Sequence, residues 1–146
     1  GHPNAFKIPR PMQKKPGFSF FFSGLKTAVM LKTRELREQE TLDQNKANIA
    51  ASFQKAAIDS LIGRTLKAAR EHNLSRIIVS GGVGANLMLR ASLRDCFDGD
   101  VFYPRLELCT DNAAMITVAA SYRLSDQRNP GSVEAMARWP MEDINY

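Results

Sequence analysis

The sequence predicts an α/β fold with mainly parallel strand pairing, and three observations predict it. Apolar residues recur at helical spacing over residues 45–71. A continuously apolar run, Arg76-Ile77-Ile78-Val79, follows and has the composition of a strand buried on both faces. Ser80-Gly81-Gly82-Val83-Gly84-Ala85-Asn86 then turns the chain into another helical stretch, the order of a strand–turn–helix unit.

Composition bounds the rest. The 146 residues are 44% hydrophobic and 24% charged, the balance of one folded domain rather than a disordered chain. Cys96 and Cys109 are the two cysteines, and they form no CxxC pair, so a disulfide framework is excluded and a reducing compartment is expected. No apolar run reaches the ~18 residues of a membrane span. The opening residues lack the basic-then-apolar pattern of a signal peptide, and the chain does not begin with Met, so a processed chain or a piece of something longer is expected. The formal charge is +5. It is unevenly spread: residues 1–34 carry Lys7, Arg10, Lys14, Lys15, Lys26, Lys32 and Arg34 with no acid, which leaves the remainder at −2. Such a segment suits either a polyanion-facing surface or a solvated lysine-rich edge.

Each element follows in order. Residues 1–17 hold Pro3, Pro9, Pro11, Pro16 and Gly17, which forbids a helix and predicts an extended basic arm. Phe18-Ser19-Phe20-Phe21-Phe22 predicts a short buried strand. Ser23 is placed to N-cap a helix through Leu25, Val29 and Leu36, with residues 38–45 as its end or a loop. The helix over 45–71 presents Ile49, Phe53, Ala57 and Leu61 beside Ile58, Ile62 and Leu66 as a wide apolar face. After the glycine turn, a helix over 86–96 offers Leu87, Leu89 and Leu93 to the core. Val101-Phe102-Tyr103 predicts a second short strand closed by Pro104, 106–110 a loop, and 111–124 a small-residue apolar helix. An α/β body over 18–124 is thus followed by an irregular tail, 125–146, with Trp139 expected on a surface groove.

Three stretches have residues suited to chemistry. A buried strand delivering three glycines to a helix N-terminus suits phosphate, since glycines permit close backbone approach and the helix end carries partial positive charge. The spacing is neither a Walker A loop nor GxGxxG, and a tight turn that needs glycine for its backbone angles explains Gly81 and Gly82 equally. Asn86 suits a helix N-cap, or an amide donor to a nucleotide. In Cys109-Thr110-Asp111-Asn112-Ala113-Ala114-Met115, Asp111 is placed to cap a helix or, given partners, to hold a metal. Those partners are scarce, since His2 and His72 lie far apart and no HxxxH or HExxH exists. Cys109 near a helix start has one attribute of a reactive thiolate but no neighbouring His in sequence. Ser23-Gly24-Leu25-Lys26-Thr27 offers Lys26 to a phosphate, or is simply a capped helix with a solvated Lys.

Taken together, Phe22-Ser23-Gly24-Leu25-Lys26-Thr27-Ala28-Val29, Gly81-Gly82-Val83-Gly84-Ala85-Asn86 through Leu89-Arg90, and Cys109-Thr110-Asp111-Asn112-Ala113-Ala114-Met115-Ile116 resemble the C-terminal half of the bacterial-type tRNA N6-adenosine threonylcarbamoyltransferases, once labelled glycoproteases or O-sialoglycoprotein endopeptidases. Phe6-Lys7-Ile8-Pro9-Arg10-Pro11 and Ala51-Ser52-Phe53-Gln54 fit as well, so the resemblance covers roughly residues 1–123. It implies one partial lobe of an actin-like, Hsp70-like ATPase fold. It implies transfer of a threonylcarbamoyl group from an adenylate to N6 of adenosine 37 in tRNAs reading codons that begin with A. It further implies a divalent metal, iron or zinc, held by two His of an HxxxH motif and by Asp111, with Asn86 on the adenylate and Gly81 and Gly82 at its phosphate. Implied partners are tRNA, an actin-like paralogue, a small ATPase and the N-terminal half that carries the HxxxH; the implied location is the cytoplasm or the mitochondrial matrix, with no membrane contact. The family pattern Asp-Phe-Ser-Phe-Ser-Gly meets Ser19 and Phe21 here in place of its Asp and first Ser, which removes a polar contact of that strand. Two other readings stand beside this one: a non-catalytic nucleotide-binding or scaffold module that pairs with an actin-like subunit, and a metallo-endopeptidase, against which the lack of HExxH counts.

Overall fold

The computed structural model describes residues 1–10 and 16–124. Its contacts divide the chain into two units, Gly1–Asp111 and one that begins at Asn112. The first unit is α/β. It runs α1 (Ser23–Glu38), α2 (Leu42–Glu71), β1 (Arg76–Ile78), α3 (Leu87–Cys96) and β2 (Asp100–Phe102), with 3-10 turns at Gly82–Ala85 and Leu106–Leu108. The second unit contains α4 (Ala113–Ser121). β1 and β2 pair in parallel, with Ile77 opposite Val101 and Ile78 opposite Phe102. Parallel strands require a crossover, which α3 provides.

α2 organises the first unit. At 30 residues it spans roughly 45 Å. Its N-terminal half packs against α1 and the leading arm around Ile8, Leu25 and Ala56. Its C-terminal half packs against β1 and α3 around Ile58, Ile62, Ala69, Ile77, Leu89 and Leu93. The arm is anchored rather than loose. Ile8 is buried, the Phe6 N–H donates to Ser52 Oγ at 3.1 Å, and Arg10 pairs with Asp59 at 2.5 Å. α1 ends at Glu38, and Glu40 at φ 57° reverses the chain so that the Thr41 N–H reaches the Leu36 carbonyl at 2.9 Å.

Several expectations are corrected. Residues 18–22 form no strand, and Phe20, Phe21 and Phe22 are exposed. A strand needs a neighbour for its backbone groups and a layer over its side chains. Among the described residues β1 and β2 pair only with each other, and Phe20 stacks on Phe22 instead, with centroids 6.4 Å apart. The order therefore begins with two helices rather than a strand. Ser23 is not the N-cap of α1: Phe22 holds that position without a side-chain cap, and Ser23 is the first helical residue. α2 starts at Leu42 rather than 45. β1 is covered on one face only: Ile77 is buried while Ile78 is 79% exposed. Leu87 and Phe53, both expected in the core, are exposed. On α2, Ser52, Ala56 and Ser60 are buried small residues at i+4 spacing; Ser52 meets the arm at Phe6, Ala56 packs with Ile8 and Leu25, and Phe53 lies off this stripe. The tail 125–146, Trp139 included, lies outside the described residues, as do residues 11–15.

Candidate functional site

β1 hands the chain to the glycine turn through a bond from the Val79 N–H to the Phe102 carbonyl at 3.0 Å. Gly81 then takes φ 80°, ψ 174°, a conformation that L side chains rarely adopt, so glycine is required there. A Cβ at Gly81 or Gly82 would meet nothing within 4 Å, so both face open space. The Gly84 N–H closes the turn on the Gly81 carbonyl at 2.9 Å, and Gly84 is buried against Val79. Neither Gly81 nor Gly82 spends its N–H on a backbone acceptor among the described residues. Asn86 caps α3: its Oδ1 accepts from the Leu89 N–H at 3.0 Å, which leaves the Nδ2 donor for another partner. A largely apolar cleft of about 300 Å³ opens beside the turn, lined by Thr65, Ile78, Ser80, Val83 and Gly84 among others.

Arg90, one turn into α3, joins this turn to the segment after β2. Its Nε donates to the Gly84 carbonyl at 2.6 Å; its Nη2 donates to the Pro104 carbonyl at 2.8 Å and meets Cys109 Sγ at 3.1 Å. The guanidinium lies 4.8 Å from the Tyr103 ring centre, and the Tyr103 hydroxyl donates to the Arg90 carbonyl at 3.2 Å. Burial pushes the Tyr103 phenol above its ordinary value, ahead of the lowering pull of Arg94 and Arg90, so the donor keeps its proton at neutral pH. Cys109 is buried, which removes it as an accessible nucleophile.

Asp111 follows Cys109 by two residues in the same unit. It is exposed, and no side-chain hydrogen bond or ion pair engages it among the described residues. Asp111 does not cap the next helix. Asn112 does, its Oδ1 accepting from the Met115 N–H at 3.0 Å. The structure thus ties the glycine turn and the Cys109 segment together. It shows no bond from Ser23, Lys26 or Thr27 to that turn among the described residues; Thr27 Oγ1 donates instead to the Ser23 carbonyl at 3.1 Å. Reasoning from sequence missed Arg90 and Tyr103 as the connectors. The available signal was an Arg one turn after a capping Asn, with a Tyr at the end of the paired strand.

The family model for TsaD, tRNA N6-adenosine threonylcarbamoyltransferase, matches residues 1–118. The chain belongs to the TsaD family. A curated relative, the tRNA N6-adenosine threonylcarbamoyltransferase of Ralstonia pickettii (strain 12J), is 44% identical over 157 aligned residues, covering 99% of this chain and 44% of the relative. The chain therefore spans less than half the length of that relative. Gly81, Gly82, Asn86 and Asp111 all lie within the matched stretch.

For a TsaD chain, the metal expected at Asp111 can be tested against the donors present. Among the described residues no three His, Cys, Asp or Glu side chains cluster to hold a metal ion. His2 Nδ1 accepts from the Asn4 N–H at 3.3 Å, and His72 packs on Phe18. One carboxylate is not a metal site, so these residues alone do not fit the ion. The basic leading segment is also partly neutralised: Arg10, Lys32 and Arg34 pair with Asp59, Glu35 and Glu38, while Lys7 and Lys26 carry no ion pair among the described residues.

Proposed function

We propose that this chain is the C-terminal lobe of an actin-like transferase that moves a threonylcarbamoyl group from threonylcarbamoyl-adenylate to N6 of adenosine 37 of tRNAs reading ANN codons, and that it acts only with its N-terminal half. The observation that carries the reading is the Arg90 bridge, which links the glycine turn to the Cys109 segment beyond two adjacent parallel strands. Crevices outside the carboxyl ends of such strands are where α/β folds bind ligands. The Gly81 and Gly82 N–H groups and the start of α3 favour the adenylate phosphate, and Asn86 Nδ2 offers one more donor. The adenylate is already activated, so the protein need only orient it and offset charge. The adenine amine attacks the carbamoyl carbon, AMP leaves with the bonding electrons, and the amine loses one proton. Asp111 would contribute one anionic oxygen donor to a divalent metal, iron or zinc, whose other ligands would have to come from the N-terminal half; the ion would supply Lewis-acid polarisation. Lys7 and Lys26 favour a salt-sensitive contact with tRNA. An actin-like paralogue and a small ATPase are the expected partners, in the cytoplasm. Among the described residues no helix is long and apolar enough to cross a membrane.

Reconstitution with the N-terminal half, scored by modified nucleoside in tRNA, tests the reading. Modification is expected only when both halves are present; none from a folded, reconstituted pair overturns it. Asn86→Asp separates the two roles of that residue, because the carboxylate still caps α3 but replaces the Nδ2 donor with negative charge. Thermal stability is expected to hold while affinity for ADP, read by calorimetry, falls about tenfold to a hundredfold, the worth of one charge-assisted bond replaced by repulsion. Unchanged affinity would remove Asn86 from the ligand site.

A further inference from the structure

The Arg90 guanidinium is where the two candidate loops meet. Gly84 belongs to the turn after β1, whereas Pro104 and Cys109 belong to the segment after β2. One planar side chain spans both, with Nε committed to the first loop and Nη2 to the second. Its orientation is itself held, by the Tyr103 ring beneath it and by the Tyr103 hydroxyl on its carbonyl. A guanidinium presents donors at fixed directions, so it holds two loops at one spacing; an ammonium is a point donor on a flexible stem and does not.

The geometry points to Arg90 as a positioning residue that couples the 81–86 turn to the 109–111 segment, so that occupancy of the turn by a nucleotide phosphate is felt at Cys109 and Asp111. This rests on the nucleotide reading of the glycine turn. Arg90 touches no reacting atom in this scheme. It transmits position: displacement of the Gly84 carbonyl reaches Pro104 and Cys109 through a rigid fork rather than through solvent. The two free cysteines make the coupling measurable without reference to catalysis, since Cys109 lies under Arg90 and Cys96 is exposed at the far end of α3.

The test is iodoacetamide alkylation of the complete protein, N-terminal half included, followed by peptide mass mapping with and without ADP. In the wild type Cys109 should react at least about tenfold more slowly than Cys96, as burial limits thiolate access. ADP should slow Cys109 severalfold further and leave Cys96 unchanged. In Arg90→Met, Cys109 should approach the Cys96 rate, and the slowing by ADP should vanish while calorimetry still shows ADP bound. Arg90→Lys should keep the charge and the fold yet also lose the ADP effect. Tyr103→Leu, which retains Arg90 but frees its plane, should show a partial loss and serves where Arg90→Met fails to fold. A merely structural role for Arg90 would speed Cys109 labelling but leave the ADP-dependent slowing intact; that result in Arg90→Lys or Tyr103→Leu overturns the proposal. Wild-type Cys109 reacting as fast as Cys96 overturns it too. Absence of ADP binding to the wild type removes the nucleotide reading and this coupling with it, whereas ADP binding with unaltered coupling in the Arg90 variants removes the coupling alone.

Discussion

If Asp111 holds the metal as proposed, Asp111→Ala in the complete protein is expected to lower tRNA modification by about a thousandfold or more, since a Lewis acid at the reacting centre would lose an anionic oxygen donor. Bound metal, measured by elemental analysis of the purified protein, should fall in parallel. The fold should be untouched: Asp111 is exposed, makes no side-chain bond among the described residues, and leaves the capping of α4 to Asn112. The thermal midpoint is therefore the control, and loss of activity without loss of stability is the expected signature. Asp111→Asn should behave like Asp111→Ala, because shape is kept and charge is lost. Near-normal modified tRNA in either variant would refute the role of Asp111.

Leu93→Ala is the change expected to cost most stability. Leu93 is 2% exposed and packs in the cluster with Ile58, Ile62, Ile77 and Leu89 that holds α3 to α2 and β1. Truncation removes apolar burial and leaves a cavity, a loss of about 2–5 kcal/mol that urea unfolding would read directly. Leu87→Ala, on the same helix but 67% exposed, should change stability by less than about 0.5 kcal/mol. Equal costs for the two would mean that α3 packs through a different face. Because α3 is the crossover that carries Asn86 and Arg90, Leu93→Ala should also weaken ADP binding.

The contrast between Leu93 and Leu87 shows how far the sequence could be read. Helical periodicity identified α1, α2 and α3, and the apolar runs identified β1 and β2 to within a residue or two. Asn86 as the N-cap of α3 and the glycine requirement at Gly81 were also legible, because capping and positive φ are local chemistry. The failures of burial share one cause; the misplaced caps at Ser23 and Asp111 stand apart from it. Residues 18–22 have the aromatic content of a strand, Ile78 and Phe102 the apolarity of a doubly covered sheet, and Phe53 and Leu87 the spacing of core positions. Phe20, Phe21, Phe22, Ile78, Phe102, Phe53 and Leu87 are all exposed, since no layer of the described chain covers them; Phe18 alone of its segment is half-buried, against His72. The chain spans 44% of its relative, and hydrophobic pattern records what a segment is built to bury, not which partner is present to bury it.

The sequence by itself determined family membership, the alternation of helices and strands, the glycine turn and Asn86 as the cap of α3, because period, backbone permissiveness and caps act over a few neighbouring positions; the cap of α4 fell to Asn112 rather than Asp111. Only the tertiary structure decided that Arg90 spans the site. Its contacts with Gly84 and Cys109 lie 6 and 19 residues away, in loops brought side by side by the parallel register of β1 and β2. A hydrogen bond depends on distance and direction between atoms, and for residues this far apart those are set by packing.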